Sequence, residues 1–241
     1  MKRNLLWLCL IAWTMLLAGC AGPQSRPPSA EEIIAKSTQR MMSLAGFEFL
    51  IDRSGQPTFL DYAKTIAFRR AEGQYVAPDK VFVKVRVIGP GLVAEVQIIS
   101  IGADQWETNL LSGQWQVSDQ RYSFNPSRLF NNENGIQAIL AHDLVKPTLT
   151  GVEELEDIPG HKFYVLQASL PGNRAYDMTY GMIDKDTLQA KLWIDPDHFD
   201  LYRVVILDPV NPGDKEGTTW QIDFWNFDGK FDIQKPTLNG K

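Results

Sequence analysis

The sequence predicts an α+β chain: a long antiparallel meander of strands, with one helix ahead of it and a helical insert in its middle. Three observations lead there. Apolar residues recur with period two through most of the chain, leaving one wet and one dry side. The period becomes helical in only a few segments, chiefly 30–45 and 135–145. Glycine and proline turns interrupt the alternating runs at short intervals, which suits hairpins.

The elements follow in order. Ser29-Ala30-Glu31-Glu32 has the form of a capping box, with Glu32 three residues after the cap. The helix it opens runs to about Ala45 and is stopped by Gly46. Ile33, Ile34, Met41 and Leu44 share one side of it, so it must cover something apolar. Phe47, Phe49 and Ile51 then alternate with polar residues, and Tyr62, Ile66 and Phe68 repeat the pattern over 62–70. The clearest strand is 80–87, with Val81, Val83, Val85 and Val87 opposite Lys80, Lys84 and Arg86. Gly89-Pro90-Gly91 turns the chain, and 92–101 returns with Ala94, Val96 and Ile98 against Glu95 and Gln97. Residues 104–110 and 114–118 make a shorter pair around Ser112-Gly113. Asn125-Pro126 opens a helical stretch, and Ile136, Ile139, Leu140 and Leu144 share a helical face that Pro147 ends. Strands resume over 148–156, 161–169, 188–195, 201–208, 218–226 and 230–234, with a short helix over 172–183. A sheet with one apolar face has to be covered, and two or three helices laid across it would do so.

The N-terminus has a different character. Lys2 and Arg3 precede an apolar run from Leu5 to Leu17, and Leu17-Ala18-Gly19-Cys20 closes it. Charged head, apolar middle and small residues at the end make a secretory signal peptide, too short for a comfortable membrane span. The final four residues resemble a bacterial lipobox. In that reading residues 1–19 are removed, and Cys20 carries a diacylglycerol with acyl chains such as palmitate. Residues 20–29 are then a Pro-rich tether, and 30–237 form one domain.

Composition narrows the function. Loss of residues 1–19 takes Lys2 and Arg3 with it, so the formal charge of −5 becomes −7. An acidic body does not suit nucleic acid. Cys9 leaves with the signal and Cys20 is the lipid site, so no disulfide, thiol nucleophile or cysteine metal site remains.

Catalytic and metal motifs are also lacking. The three histidines are His142, His161 and His198. His142-Asp143 falls at a helix end, where capping is its simplest role. Asp195, Asp197, His198 and Asp200 cluster at a hairpin tip, and a solvated turn accounts for them better than a cation loop, whose glycine and distant glutamate are missing. No nucleophile elbow, zinc helix or phosphate loop occurs. The sequence therefore predicts no catalytic residue, no metal and no cofactor. Trp106, Trp115, Trp193, Trp220 and Trp225 fit core packing, a sugar platform or a membrane interface equally.

Several segments together resemble the LppX/LprAFG-type bacterial lipoproteins. They are Gly91-Leu92-Val93-Ala94-Glu95-Val96, Gly113-Gln114-Trp115, Phe124-Asn125-Pro126, Gly135 through Leu140, Val152 through Gly160, Leu192-Trp193-Ile194-Asp195, Arg203-Val204-Val205 and Trp220 through Phe227. The resemblance spans nearly the whole mature domain. It implies a strongly curved antiparallel half-barrel, similar to the LolA/LolB carriers, with helices in its concave face around an apolar cavity. It further implies a monomeric, non-enzymatic lipoprotein of the cell membrane, facing outward, whose partners are the membrane and a lipid or acylated glycolipid. On periodicity alone Met41, Val83, Val85, Val96, Ile98, Ile139 and Leu140 simply fill a core. With the resemblance they become the expected lipid-binding wall. The alternative is an envelope interaction or assembly lipoprotein with that core filled and no ligand.

Replacing Cys20 by Ser is expected to give unprocessed or released protein, while wild type partitions into detergent and carries a thioether-linked lipid. Identical processing and membrane retention of Cys20→Ser would refute the anchor.

Overall fold

The computed structural model describes residues 27–61, 63–119, 124–179, 181–183, 187–208, 210 and 216–238. The expected signal segment, Cys20 and Tyr62 lie outside these. The strands are β1 (Gly46–Gly55), β2 (Thr58–Phe59), β3 (Ala67–Val76), β4 (Lys80–Gly89), β5 (Leu92–Ile101), β6 (Asp104–Thr108), β7 (Trp115–Val117), β8 (Val145–Leu155), β9 (Ile158–Pro171), β10 (Thr187–Ile194), β11 (Leu201–Asp208) and β12 (Thr218–Trp225). The helices are α1 (Ala30–Ser43), α2 (Ile136–His142) and α3 (Gly172–Thr179), with a 3-10 turn at Pro126–Phe130.

All strands join one antiparallel sheet in the order β7-β6-β5-β4-β3-β1-β12-β11-β10-β9-β8, and β2 pairs with β3 off this path. The sheet is open, because β7 and β8 at its two edges do not meet. The chain builds it as two meanders, β3 to β7 and β8 to β12, and β1 joins them by pairing with both β3 and β12.

Alternation decides which face is dry. Phe47, Phe49 and Ile51 of β1, Val81 and Val83 of β4, and Trp220, Ile222 and Phe224 of β12 share one core with Ile33, Ile34 and Met41 of α1 and with Ile136, Ile139 and Leu140 of α2. Ser29 caps α1 by accepting from the Glu32 amide at 3.2 Å. The Glu32 carboxylate turns instead to Lys36 at 3.1 Å. Phe130 plugs the 3-10 turn into the sheet. Its ring lies 4.5 Å from Phe49, 5.2 Å from Phe47 and 5.4 Å from Tyr75. Such aromatic pairs add to plain burial.

The opposite face carries two smaller clusters. One gathers Leu155, Phe163, Val165 and Trp193. The other gathers Ile99, Trp106 and Ile233. The latter corrects one expectation: residues 230–234 form no strand. Phe231 and Ile233 lie across the outside of β5 and β6 and cover it there.

Two further boundaries differ. The second long strand is β3 at 67–76, not 62–70; Gly73 and Gln74 hide its alternation. A side chain at Gly73 would meet the Phe82 carbonyl at 2.1 Å and the Phe49 ring at 3.1 Å, so glycine lets these neighbours close up. Pro147 does not follow a helix to 145. The helix ends at His142, and β8 starts at Val145. The register slips between Val145 and Thr148, so Lys146 and Pro147 sit in a bulge of an edge strand, a site that tolerates proline.

Tyr75 gives a handle on this core. Burial pushes its phenol up to about 12, above the ordinary 10. Its hydroxyl donates to the Pro78 carbonyl at 3.0 Å. The unfolded chain loses this proton first, so the stability the buried phenol contributes is whole below pH 10 and falls as pH rises toward 12. Denaturant titrations across that window should show the loss in wild type and much less of it in Tyr75→Phe; equal losses would contradict the assignment.

Candidate functional site

The dry face is not completely filled. A cavity of about 150 Å³ lies between sheet and cover. Its sheet wall includes Phe49 and Ile51 of β1, Phe68 and Ala71 of β3, Val83 and Val85 of β4, Ile98 of β5, and Trp220 of β12. Its cover comes from Pro126 and Leu129 of the 3-10 turn, Ile136 of α2, and Met178, Met182 and Ile183 in and after α3. The one wall residue with a hydroxyl, Thr179, has spent it: the oxygen donates to the Ala175 carbonyl at 2.6 Å and accepts from the Ile183 amide at 3.2 Å. A cavity lined this way is dry and suited to hydrocarbon.

A second void of about 30 Å³ adjoins it, walled by Ile139, Leu140, Leu144, Leu192 and others. Ile136, Met178, Ile206 and Ile222 stand on both walls, so these side chains lie between the two voids. Met178 also borders a polar surface cleft of about 450 Å³ formed with Arg128, Asn134, Arg174, Tyr176 and Asp177. There the Arg174 guanidinium donates to Asp143 at 2.7 Å, tying α3 to the end of α2.

The residues expected on the wall are distributed as follows. Val83, Val85 and Ile98 line the larger cavity. Ile139 and Leu140 line the smaller one. Met41 is buried in the same core but borders neither void. Val96 is half-buried beside Val85, its cross-strand partner, and is likewise off the walls. The sequence reading missed Met178 and Met182. Their i, i+4 spacing in 172–183 was the available signal.

Two polar devices frame the site. Where β1 leaves β3, the buried Arg53 guanidinium fills the gap, donating to the carbonyls of Phe68 at 2.9 Å, Gly55 at 3.2 Å, and Gln56. Burial lowers its pKa. At the other end Arg40, in the last turn of α1, bonds Asp200 at 2.7 Å and Asp228 at 2.8 Å. Burial pushes the Asp200 carboxyl up, against the pull of Arg40. The hairpin acids are thus in use. Asp195 is buried and accepts from the amides of Asp197 at 3.1 Å and His198 at 2.5 Å, with His161 Nε2 at 2.7 Å. Among the described residues no three His, Cys, Asp or Glu side chains are grouped to hold a metal. Of the strand tryptophans, Trp220 is on the cavity wall; Trp106 and Trp193 pack outside the sheet, under Lys235 and Lys191.

The sequence model of the family described as LppX_LprAFG lipoprotein matches residues 29–233. The chain belongs to this family. No curated protein matches it. Among solved structures, LprF from Mycobacterium bovis superposes with a TM-score of 0.63 at 14% identity, covering 86% of this chain and 96% of that one. The lipoprotein LppX of Mycobacterium tuberculosis gives 0.57 at 14% identity, covering 85% and 98%. A LolA superfamily protein from Nitrosomonas europaea, at a TM-score of 0.30, is too distant to carry an argument. At these identities the likeness to LprF and LppX is one of fold. No helix among the described residues is long and apolar enough to cross a membrane.

Met178→Ala should join the two voids. Unfolding free energy is expected to fall by about 2–4 kcal/mol, the cost typical of such a truncation in a core. Added benzene should recover part of the loss. Unchanged stability would mean that Met178 does not form the partition.

Proposed function

We propose that this chain is a membrane-anchored lipoprotein that binds lipids or acylated glycolipids in its apolar cavity and hands them on, outside the cytoplasm. The carrying observation is the cavity between sheet and cover, whose wall turns no polar surface toward it and includes Met178 and Met182. In this reading the open sheet bends around the helices, Cys20 holds the domain to the membrane, and the chain acts as a monomer without catalysis. Val83, Val85, Ile98, Ile139 and Leu140 contact acyl chains directly. Met41 and Val96 stand behind that wall.

Magnitudes set the mechanism. Exposing a sixteen-carbon chain costs roughly 12 kcal/mol at about 0.8 per methylene, so a carrier must offer a dry site. The void of about 150 Å³ is of the size that admits one small apolar molecule. Ligand sites usually have ≈ 300–1,000 Å³. Binding therefore spreads the cover, merging the two voids as Met178, Met182 and Leu129 swing aside. Little polar bonding is lost, because the wall has nearly none to lose. The cleft beyond Met178, with its mixed donors and acceptors, receives the head group.

Ile98→Trp should fill part of the space. Uptake of a fluorescent fatty acid is expected to drop several-fold, while the thermal midpoint changes little, since the ring has somewhere to go. Overpacking a solid core would instead cost about 1–3 kcal/mol. Loss of stability, with no uptake even by wild type, would overturn the carrier reading.

A further inference from the structure

The exposed apolar side chains are not scattered. The strand registers place Gly55, Ala67, Gly89, Leu92, Val145, Pro171, Thr187, Asp208 and Thr218 at one rim of the sheet. That rim carries Phe59, Leu60, Ile88, Leu92 and Val93, all exposed. Phe59 pairs with Ala67, Ala67 with Ile88, and Ile88 with Val93, so they form a row across four strands. Val145 and Leu207 add exposed apolar groups farther along it, and Leu111, 90% exposed, caps the neighbouring β6–β7 turn. The opposite rim and the two edge strands show only isolated cases, such as Trp225, Val117 and Val152.

The β4–β5 hairpin is the rim's foremost point. From Val87 to Ala94 eight residues run without a charged or hydrogen-bonding side chain. The first charges back from the tip, Arg86 and Glu95, face each other across the pair. Pro90 followed by Gly91 at φ 68° gives a tight turn with no side chain in the way. Val93 is 65% exposed there. An apolar surface of this kind needs a partner, since water is a poor one.

We infer that this rim dips into a lipid bilayer, with the β4–β5 tip and Leu60 entering the acyl region. Two observations commit it to a bilayer. Leu60 is 47% exposed and also stands on the wall of the larger cavity, so the cavity meets the surface within the apolar rim. An acyl chain can therefore pass from membrane to cavity without crossing water. Cys20 also lies only seven positions before Pro27, at most about 25 Å of extended chain, which keeps the domain close to the membrane holding it. The inference rests on the anchor in the proposed function, not on the cargo.

The test uses the full, anchored protein in phosphatidylcholine vesicles that contain nitroxide-labelled lipid. The mature chain has no cysteine besides the lipidated Cys20, so Val93→Cys and Val152→Cys can each be labelled with an environment-sensitive dye. The dye at 93 should shift to the blue and be quenched several-fold more than the dye at 152. The double variant Ile88→Asp, Val93→Asp changes only exposed positions. It should keep its thermal midpoint and its uptake of free fatty acid, yet lose transfer of lipid from vesicles. Equal quenching at 93 and 152 would overturn the inference. So would a blue shift at 93 that needs no vesicles and grows with protein concentration, which would mean that a second copy covers the rim. Insertion at 93 with no fatty-acid uptake would leave the rim standing and remove the carrier reading.

Discussion

The architecture depends on a mismatch between one large apolar sheet face and the little that covers it. Eleven strands in unbroken order, with a short twelfth beside them, present that face. The helices among the described residues have 14, 7 and 8 residues, with a 3-10 turn of 5. Protein interiors close to crystal density wherever they can. Here Phe130 and the helix side chains close most of the face, and two voids remain beside Ile136 and Met178. A fully filled core would need larger side chains on β4 and β5, where Val83, Val85 and Ile98 stand instead.

The cover is tied by ion pairs at its ends and packed by apolar side chains in its middle. Arg40 clamps the last turn of α1 to the β10–β11 turn and to Asp228, whose carboxylate also accepts from the Ala45 amide at 3.1 Å. Removing Arg40 would leave the mostly buried Asp200 carboxylate without its cation, whereas Arg40 without Asp200 would still have Asp228. Arg174 and Asp143 tie α3 to α2. Between these ties the side chains of Met178, Met182 and Leu129 make apolar contacts on the cavity wall. Arg53 plays a related part in the sheet, taking up the carbonyls left where β1 and β3 separate near the cavity's outer end.

Much of the fold was legible because an antiparallel sheet with one dry face writes its period into the sequence. Residues 92–101 were read as the strand they form, and the capping box at Ser29 marked the start of α1. Legibility failed where the period was masked or its meaning depended on neighbours. Gly73 and Gln74 broke the alternation of β3 because close packing on Phe49 and Phe82 requires a glycine there. Pro147 reads as a helix stop, yet a bulge on an edge strand accepts it. Phe231 and Ile233 have a strand's alternation but find no strand to pair with. At the site, the valines of β4 and Ile98 were visible as a face. Whether that face meets helix or empty space is a matter of volume, which no local pattern encodes. Hence Met41 was expected on a wall that Met178 and Met182 occupy.

The central claim is that the space under the sheet exists to hold hydrocarbon. Native mass spectrometry of the protein released gently from its own membrane tests it most directly, with a solvent extract of the same sample to identify what is bound. The account predicts one acylated amphiphile per chain, lost together with the fold-preserving substitution at Ile98. A single mass equal to the lipidated chain alone, unchanged after incubation with membrane lipid, would contradict it.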